Sequence, residues 1–234
     1  MSNKEPIAKR LVLDRGYVEL IDYMGDDDAP VDAARVSFAK SADNYTEEQN
    51  DRLTRYLLEH NHGTPFEMVT FKFRVHAPVM VWWHWVRHRM ASYNFVSGRY
   101  VPFDEDQFYE ICSDQWRLQS KSNKQGSEGL LDPDRNPDGG DCGRDLSSLL
   151  RLHIIDSFAL YRRALRAGVA KEQARIFLPF AACYYTAIVQ MNARSLMNFL
   201  ALRRDGHAQS EIRNYADAMH AIVSVTHPRL FPSA

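Results

Sequence analysis

Between residues 67 and 76 apolar and polar side chains alternate one for one. Val69, Phe71, Phe73 and Val75 face one way, and Thr70, Lys72, Arg74 and His76 face the other. A period of two sends successive side chains to opposite faces, so this segment reads as a half-buried strand of an antiparallel sheet. Gly16-Tyr17-Val18-Glu19-Leu20-Ile21 reads as an earlier strand opened by glycine, and an aromatic strand is expected over 182–191.

Elsewhere the apolar period lengthens to that of a helix. Thr46-Glu47-Glu48-Gln49 has the spacing of a capping box, and Leu53, Tyr56, Leu57 and His60 continue at helical intervals to the Asn61-His62-Gly63 turn. Asp28 is expected to cap a short helix starting at Ala29-Pro30, where proline is tolerated in the first turn. Pro78 opens a helix to about residue 89, with Val81, Trp82, Trp85 and Val86 as its stripe. Residues 91–100, with Ser92, Asn94, Ser97 and Gly98, read as loop. Leu149, Leu152, Ile155, Phe158 and Ala159 mark an amphipathic helix over 146–168 that Gly168 ends. A short helix carrying Arg175 stops at Pro179; Asn192 caps a helix over 193–204, and a last helix covers 207–225. Strands and helices are mixed without a βαβ repeat. The class is therefore α+β, a single domain over 1–234 with a mostly antiparallel sheet flanked by helices.

Composition changes this picture at three points. Residues 113–145 hold five of the eleven glycines, two prolines and one aromatic, Trp116, so they are expected to form a polar, partly mobile surface insertion. A net charge of -1 excludes the basic field of a non-specific nucleic-acid binder. An anionic partner must then be met by a local cluster, which points to a small molecule. Cys112, Cys142 and Cys183 form no CxxC pair and read as reduced thiols of a cytoplasmic protein. The uncharged run 176–193 contains Pro179, Tyr184, Tyr185, Thr186, Gln190 and Asn192, so it reads as buried core and no membrane span is expected.

Two clusters carry candidate chemistry. The first is Arg87-His88-Arg89-Met90-Ala91-Ser92-Tyr93-Asn94-Phe95-Val96-Ser97-Gly98-Arg99-Tyr100, which follows Trp82, Trp83 and Trp85. Guanidinium groups offer forked donors suited to phosphate and to planar carbonyl edges, and loop glycine lets backbone N–H groups approach an anion. The second runs from Asn192 to Arg204. Arg194 and Asn198, four apart, share a helix face, whereas Arg203 lies nine residues on, roughly 180° round, so the helix is expected to present polar groups in two directions. His84 and His88 are also four apart, but no HExxH motif accompanies them and Arg87 and Arg89 would repel a cation, so no metal is expected. None of the cysteines lies in an activating setting.

These segments resemble the flavin-dependent thymidylate synthase family, whose signature RHR–x2–S–x–N–x2–S–x–R is met throughout RHRMASYNFVSGRY. AARVSF (33–38), HGTPFE (62–67), ARIFLP (174–179), NARSLMNFLALR (192–203) and HAQSEI (207–212) also look like that family, so the likeness spans most of the chain outside the insertion. The resemblance implies FAD held by Thr64, Arg87, His88, Arg89, Asn192, Arg194 and Asn198, with His62 nearby. It implies dUMP held by His84, Arg87, Ser97, Gly98, Arg99, Arg175 and Arg203, and a homotetramer in which subunits share the flavin. Phe95 stands where the family often has Glu, so no carboxylate role is expected there.

The implied reaction is reductive methylation of dUMP to dTMP, with 5,10-methylenetetrahydrofolate as carbon donor and NADPH-reduced flavin as hydride source. Arg203 is the expected catalytic residue, since a guanidinium beside uracil N3 stabilises the anionic ring. Arg99 and Arg175 with the Ser97-Gly98 backbone are expected on the 5′-phosphate. The competing readings are a non-catalytic nucleotide or RNA-binding module and a folate- and flavin-dependent enzyme methylating uracil in RNA.

Overall fold

A computed structural model describes residues 5–104, 107–134, 140 and 142–233. Its centre is a five-stranded antiparallel sheet: β1 (Ala8–Val12), β2 (Gly16–Met24), β3 (Thr70–Pro78), β4 (Ser92–Phe95) and the strand after the insertion, β7 (Tyr184–Asn192), in the order β1-β2-β3-β7-β4. Phe71, Phe73 and Val75 are fully buried, as the alternation requires, and Val189 and Met191 beside them cover the same core. The α+β class with a mostly antiparallel sheet is what the structure shows.

Helices close the apolar face of the sheet. The short α1 (Ala29–Arg35) and α2 (Glu47–Glu59) come first, and α3 (Val79–Trp85) follows β3. The long α4 (Gly143–Arg166) and one-turn α5 (Lys171–Ala174) precede β7, and α6 (Ala193–Arg203) and α7 (Ser210–Thr226) end the chain. Trp85 of α3 is completely buried, stacked on Phe199 of α6 at 4.9 Å and edge-on to Tyr215 of α7 at 5.9 Å. This aromatic knot ties α3, α6 and α7 to one another and so fixes the elements that will carry the functional groups. A second cluster, Phe108, Ile154, Phe158, Tyr161, Leu178 and Cys183, seats α4 against the other end of β7. Among the described residues no helix is long and apolar enough to cross a membrane.

Local signals account for several boundaries. Gln49 N–H donates to Thr46 Oγ1 (3.3 Å) and Thr46 N–H to Gln49 Oε1 (3.0 Å), the full capping box. Gly168 ends α4 in the left-handed region at φ 85°, where a side chain would be strained. Asp28, by contrast, caps nothing with its side chain; its carboxylate takes Arg229 and the Asn50 amide instead.

Other expectations fail for tertiary reasons. β1 has no alternation to reveal it, since three of its five residues are exposed at the sheet edge. Residues 92–95 are strand rather than loop because β7 supplies the pairing partner, Asn94 opposite Ile188. The third helix ends at Trp85 and not near 89. Within the insertion, where the sequence pattern assigns no element, β5 (Arg117–Gln119) and β6 (Ser127–Leu130) form a hairpin, and α4 begins at Gly143. Trp116 Nε1–H donates to Ser147 Oγ at 2.9 Å, and Arg117 Nη2 reaches both Glu211 oxygens at 2.7 and 2.9 Å, which moors the hairpin to α4 and α7. Positions 135–139 and 141 of the expected insertion lie outside the described residues.

Candidate active site

Where α3 ends, its last carbonyls lose their helical partners, and side chains reach two of them together with the carbonyl of His88 just beyond. His84 O accepts from Arg203 Nη2 (3.2 Å), while Trp85 O and His88 O lie 3.2 and 2.7 Å from the Tyr93 hydroxyl. The chain therefore leaves the helix in a tight turn, with His88 N–H on Trp85 O at 3.0 Å, and presents Arg87, His88 and Arg89 at the edge of an open cleft of about 810 Å³. The opposite wall is α6, with Asn192, Arg194, Asn198 and Arg203. Asn192 caps that helix, its Oδ1 accepting from Ser195 N at 2.9 Å.

Four guanidinium groups from two stretches of chain thus line one cavity. Its one carboxylate is Glu67, which pairs with Arg194 at 2.6 Å. Neither Arg87 nor Arg89 has an acidic partner among the described residues, so the cleft carries uncompensated positive charge. Arg194 and Arg203 were expected to face in two directions, yet both reach this cleft. The α-carbon positions do diverge, but Arg203 ends the helix and its long side chain swings to the turn after α3, where Nε–H donates to His88 Nε2 at 2.9 Å. Burial first, and then the charge of Arg203, push His88 down to about 4, so its ring is neutral near pH 7. Burial also lowers Arg203 from its ordinary value, although a guanidinium stays charged at neutral pH.

The remaining residues fall in two places. Thr64 opens the short 3-10 turn Thr64–Met68 and is exposed, as is His62; Gly63 between them packs so close to Arg194 that an added Cβ would lie 2.5 Å from its Nε. The expected FAD residues therefore gather at one site, with His62 and Thr64 at its margin. Ser97, Gly98, Arg99 and Arg175 do not line the cleft. They form a second group beyond β4, where Arg99 Nε lies 3.0 Å from Glu172 and Arg175 Nε–H donates to Glu172 O at 3.1 Å. Of the expected dUMP residues, Arg87 and Arg203 line the cleft, His84 joins it through its backbone, and the other four are apart.

Sequence reasoning missed Glu67, Glu172 and Tyr93. Glu67 closes the HGTPFE block and Glu172 lies two residues before ARIFLP, but only their ion pairs reveal a part in the site. Phe95 meets Trp82 edge-on at 4.8 Å, so where the family often has a carboxylate this chain has a partly buried aromatic packed against the core. No group of three or more metal-ligating side chains occurs among the described residues.

An α+β scaffold that turns several arginines and a neutral histidine into one open cleft offers forked donors of the kind that suit phosphate groups and planar carbonyl edges. Residues 19–229 match the family model described as thymidylate synthase complementing protein. A flavin-dependent thymidylate synthase of Kosmotoga olearia is 42% identical over 214 residues, covering 90% of this chain and 86% of that protein. One from Thermus thermophilus is 43% identical over 212 residues, covering 91% and 73%. Among solved structures, the UMP/dUMP methylase PolB from Streptomyces cacaoi, bound with 5-Br dUMP, superposes with a TM-score of 0.74 at 30% identity over 95% of each chain. The chain belongs to the flavin-dependent thymidylate synthase family.

Proposed function

We propose that this chain methylates dUMP to dTMP in an FAD-dependent reaction, with 5,10-methylenetetrahydrofolate as carbon donor and NADPH as reductant. Family membership favours this over the RNA-binding and RNA-methylating alternatives. The observation that carries the residue assignment is the cleft in which Arg87, Arg89, Arg194 and Arg203 converge with a single counter-charge. That donor set fits a flavin dinucleotide: forked donors match its diphosphate, and Asn192, Asn198 and Thr64 suit its polar edges. When bound, the flavin supplies hydride chemistry that amino-acid side chains lack.

The chain's own part is binding and electrostatics. His62, Thr64, Arg87, His88, Arg89, Asn192, Arg194 and Asn198 hold the cofactor. Arg203 faces the pyrimidine and steadies negative charge on its ring as C5 gives up its proton. Ser97, Gly98, Arg99 and Arg175 hold the 5′-phosphate, Arg99 exchanging Glu172 for the ligand. Because these four stand apart from the cleft, the site is proposed to be completed by a second copy in a homotetramer. The exposure of Met90 (79%), Tyr100 (80%) and Ile176 (83%), each next to a site arginine, supports that assembly. Three free thiols and the lack of a spanning helix among the described residues fit a cytoplasmic setting.

Tritium release from C5-labelled dUMP, with FAD, NADPH and methylenetetrahydrofolate supplied, tests the reading. Labelled UMP belongs in a second arm, because the PolB neighbours are described as methylases of both UMP and dUMP. Release from dUMP by a yellow, flavin-absorbing protein is expected. A colourless preparation that releases no tritium from dUMP refutes it.

A further inference from the structure

Arg203 has five N–H donors. Its Nε–H goes to His88 Nε2 at 2.9 Å and one Nη2 hydrogen to His84 O at 3.2 Å, which leaves both Nη1 hydrogens and one on Nη2 without a partner among the described residues. One acceptor lies in the last turn of α3 and the other in the turn that follows it, so the direction of the free donors is set by how the chain leaves that helix. The turn in turn hangs on Tyr93. This side chain reaches across from β4, donates to His88 O at 2.7 Å and lies 3.2 Å from Trp85 O. Its ring stays on the core face beside Phe95, with centroids 6.3 Å apart. Phe199 of α6 meets the His88 ring edge-on at 4.9 Å and closes the loop of contacts.

We propose that Tyr93 and His88 are positioning residues: the Tyr93 hydroxyl fixes the turn after α3, and His88, as the neutral Nδ1–H tautomer, fixes the guanidinium of Arg203. This rests on the reading of Arg203 as the group facing the pyrimidine. The tautomer follows from the bond itself, because Arg203 can only donate and Nε2 must therefore be bare. Burial supports both parts, pushing His88 down to about 4 and the Tyr93 hydroxyl up to about 12, so that neither partner changes state near neutral pH. The advantage is rigidity. A lone arginine at a helix end samples many rotamers, whereas a guanidinium gripped at Nε and Nη2 presents its remaining donors in one plane.

Tyr93→Phe is the decisive variant, since it removes one oxygen and keeps the ring packing. With saturating flavin and folate, its kcat for dTMP formation is expected to fall about 10- to 100-fold, the scale of a misplaced catalytic group. Flavin affinity should hold near the wild-type level, because Tyr93 meets the proposed cofactor ligand His88 only at its backbone carbonyl and leaves the ligand side chains in place. Nitrogen-15 NMR of histidine-labelled protein supplies a readout independent of turnover. His88 should appear as a neutral Nδ1–H ring in the wild type and as a tautomer mixture in Tyr93→Phe. His88→Gln, whose amide oxygen can accept from Arg203, should retain more kcat than His88→Leu. A Tyr93→Phe enzyme with wild-type kcat, or one that loses flavin together with activity, overturns the proposal, as does an Nε2–H tautomer at His88. If the wild type makes no dTMP at all, the proposed reaction fails, and the NMR result alone decides whether the clamp exists.

Discussion

Replacing Arg203 by alanine separates binding from chemistry. The substitution removes two hydrogen bonds, to His88 Nε2 and His84 O, from a partly buried guanidinium. Each is worth about 1 kcal/mol net, and water can reach the half-exposed acceptors, so the stability cost is about 1–2 kcal/mol. In a chain of this size that lowers Tm by roughly 2–8 °C. The rate effect should be far larger. One preorganised donor at a site of developing negative charge is worth about 2.7–4 kcal/mol, or roughly 10²–10³ in kcat, and Arg203 has more than one donor free to give. Of the proposed cofactor ligands its two bonds involve only His88, and Arg87, Arg89 and Arg194 keep their places, so flavin should remain bound. The assay is dTMP formation under saturating flavin, run beside a flavin absorbance titration and a thermal melt. Arg203→Lys should recover little, since an ammonium is a point charge without the fork. Near-normal dTMP formation by Arg203→Ala would remove this residue from the chemistry and with it the reasoning from the cleft.

Arg87→Ala should weaken both flavin and dUMP binding, measured by titration; unchanged affinity for both would contradict the assignment of Arg87 to the cleft. Gly16→Ala places a Cβ 1.9 Å from Tyr215 Oη and 2.7 Å from Val12 O, with backbone on one side unable to yield, so a loss of about 1–3 kcal/mol or more in denaturant unfolding is expected. Arg117→Ala leaves the buried Glu211 carboxylate without its cation, with Gln209 among its remaining donors at 2.8 Å, and should cost about 1–3 kcal/mol while leaving flavin affinity unchanged. His76, His88 and His220 are all held below the ordinary 6.5, burial being the main cause at each. The unfolded chain therefore binds more protons than the folded one below that pH, and stability should decline as pH falls from about 6.5 towards 4. Urea midpoints that stay level or rise over that window would contradict the burial of these rings, and His88→Gln should make the decline shallower.

Much of the scaffold was legible in the linear pattern. The alternation around Phe71–Val75, the capping box at Thr46 and the Asn192 cap rest on contacts within a few residues, and each has the bonds or burial that its spacing requires. Where a partner lies far along the chain, pattern falls short. Ser92–Phe95 becomes a strand only because β7 lies beside it, Arg117–Gln119 only because Ser127–Leu130 pairs with it, and Asp28 gives up capping for Arg229 some 201 positions away.

The candidate site divides in the same way. The sequence by itself determined the chemical inventory, arginines and asparagines at family-like spacings, together with the helix that would carry Arg194, Asn198 and Arg203. Tertiary structure alone decided direction. Helical periodicity sends Arg194 and Arg203 to opposite sides, yet a long side chain at a helix end can be drawn across by His88 and by a carbonyl that α3 leaves unpaired. It also decided separation, setting Ser97, Gly98, Arg99 and Arg175 apart from the cleft around Glu172. Periodicity reports where a Cα lies on its own element. Where a long charged side chain points depends on which unpaired acceptor the rest of the fold brings within reach.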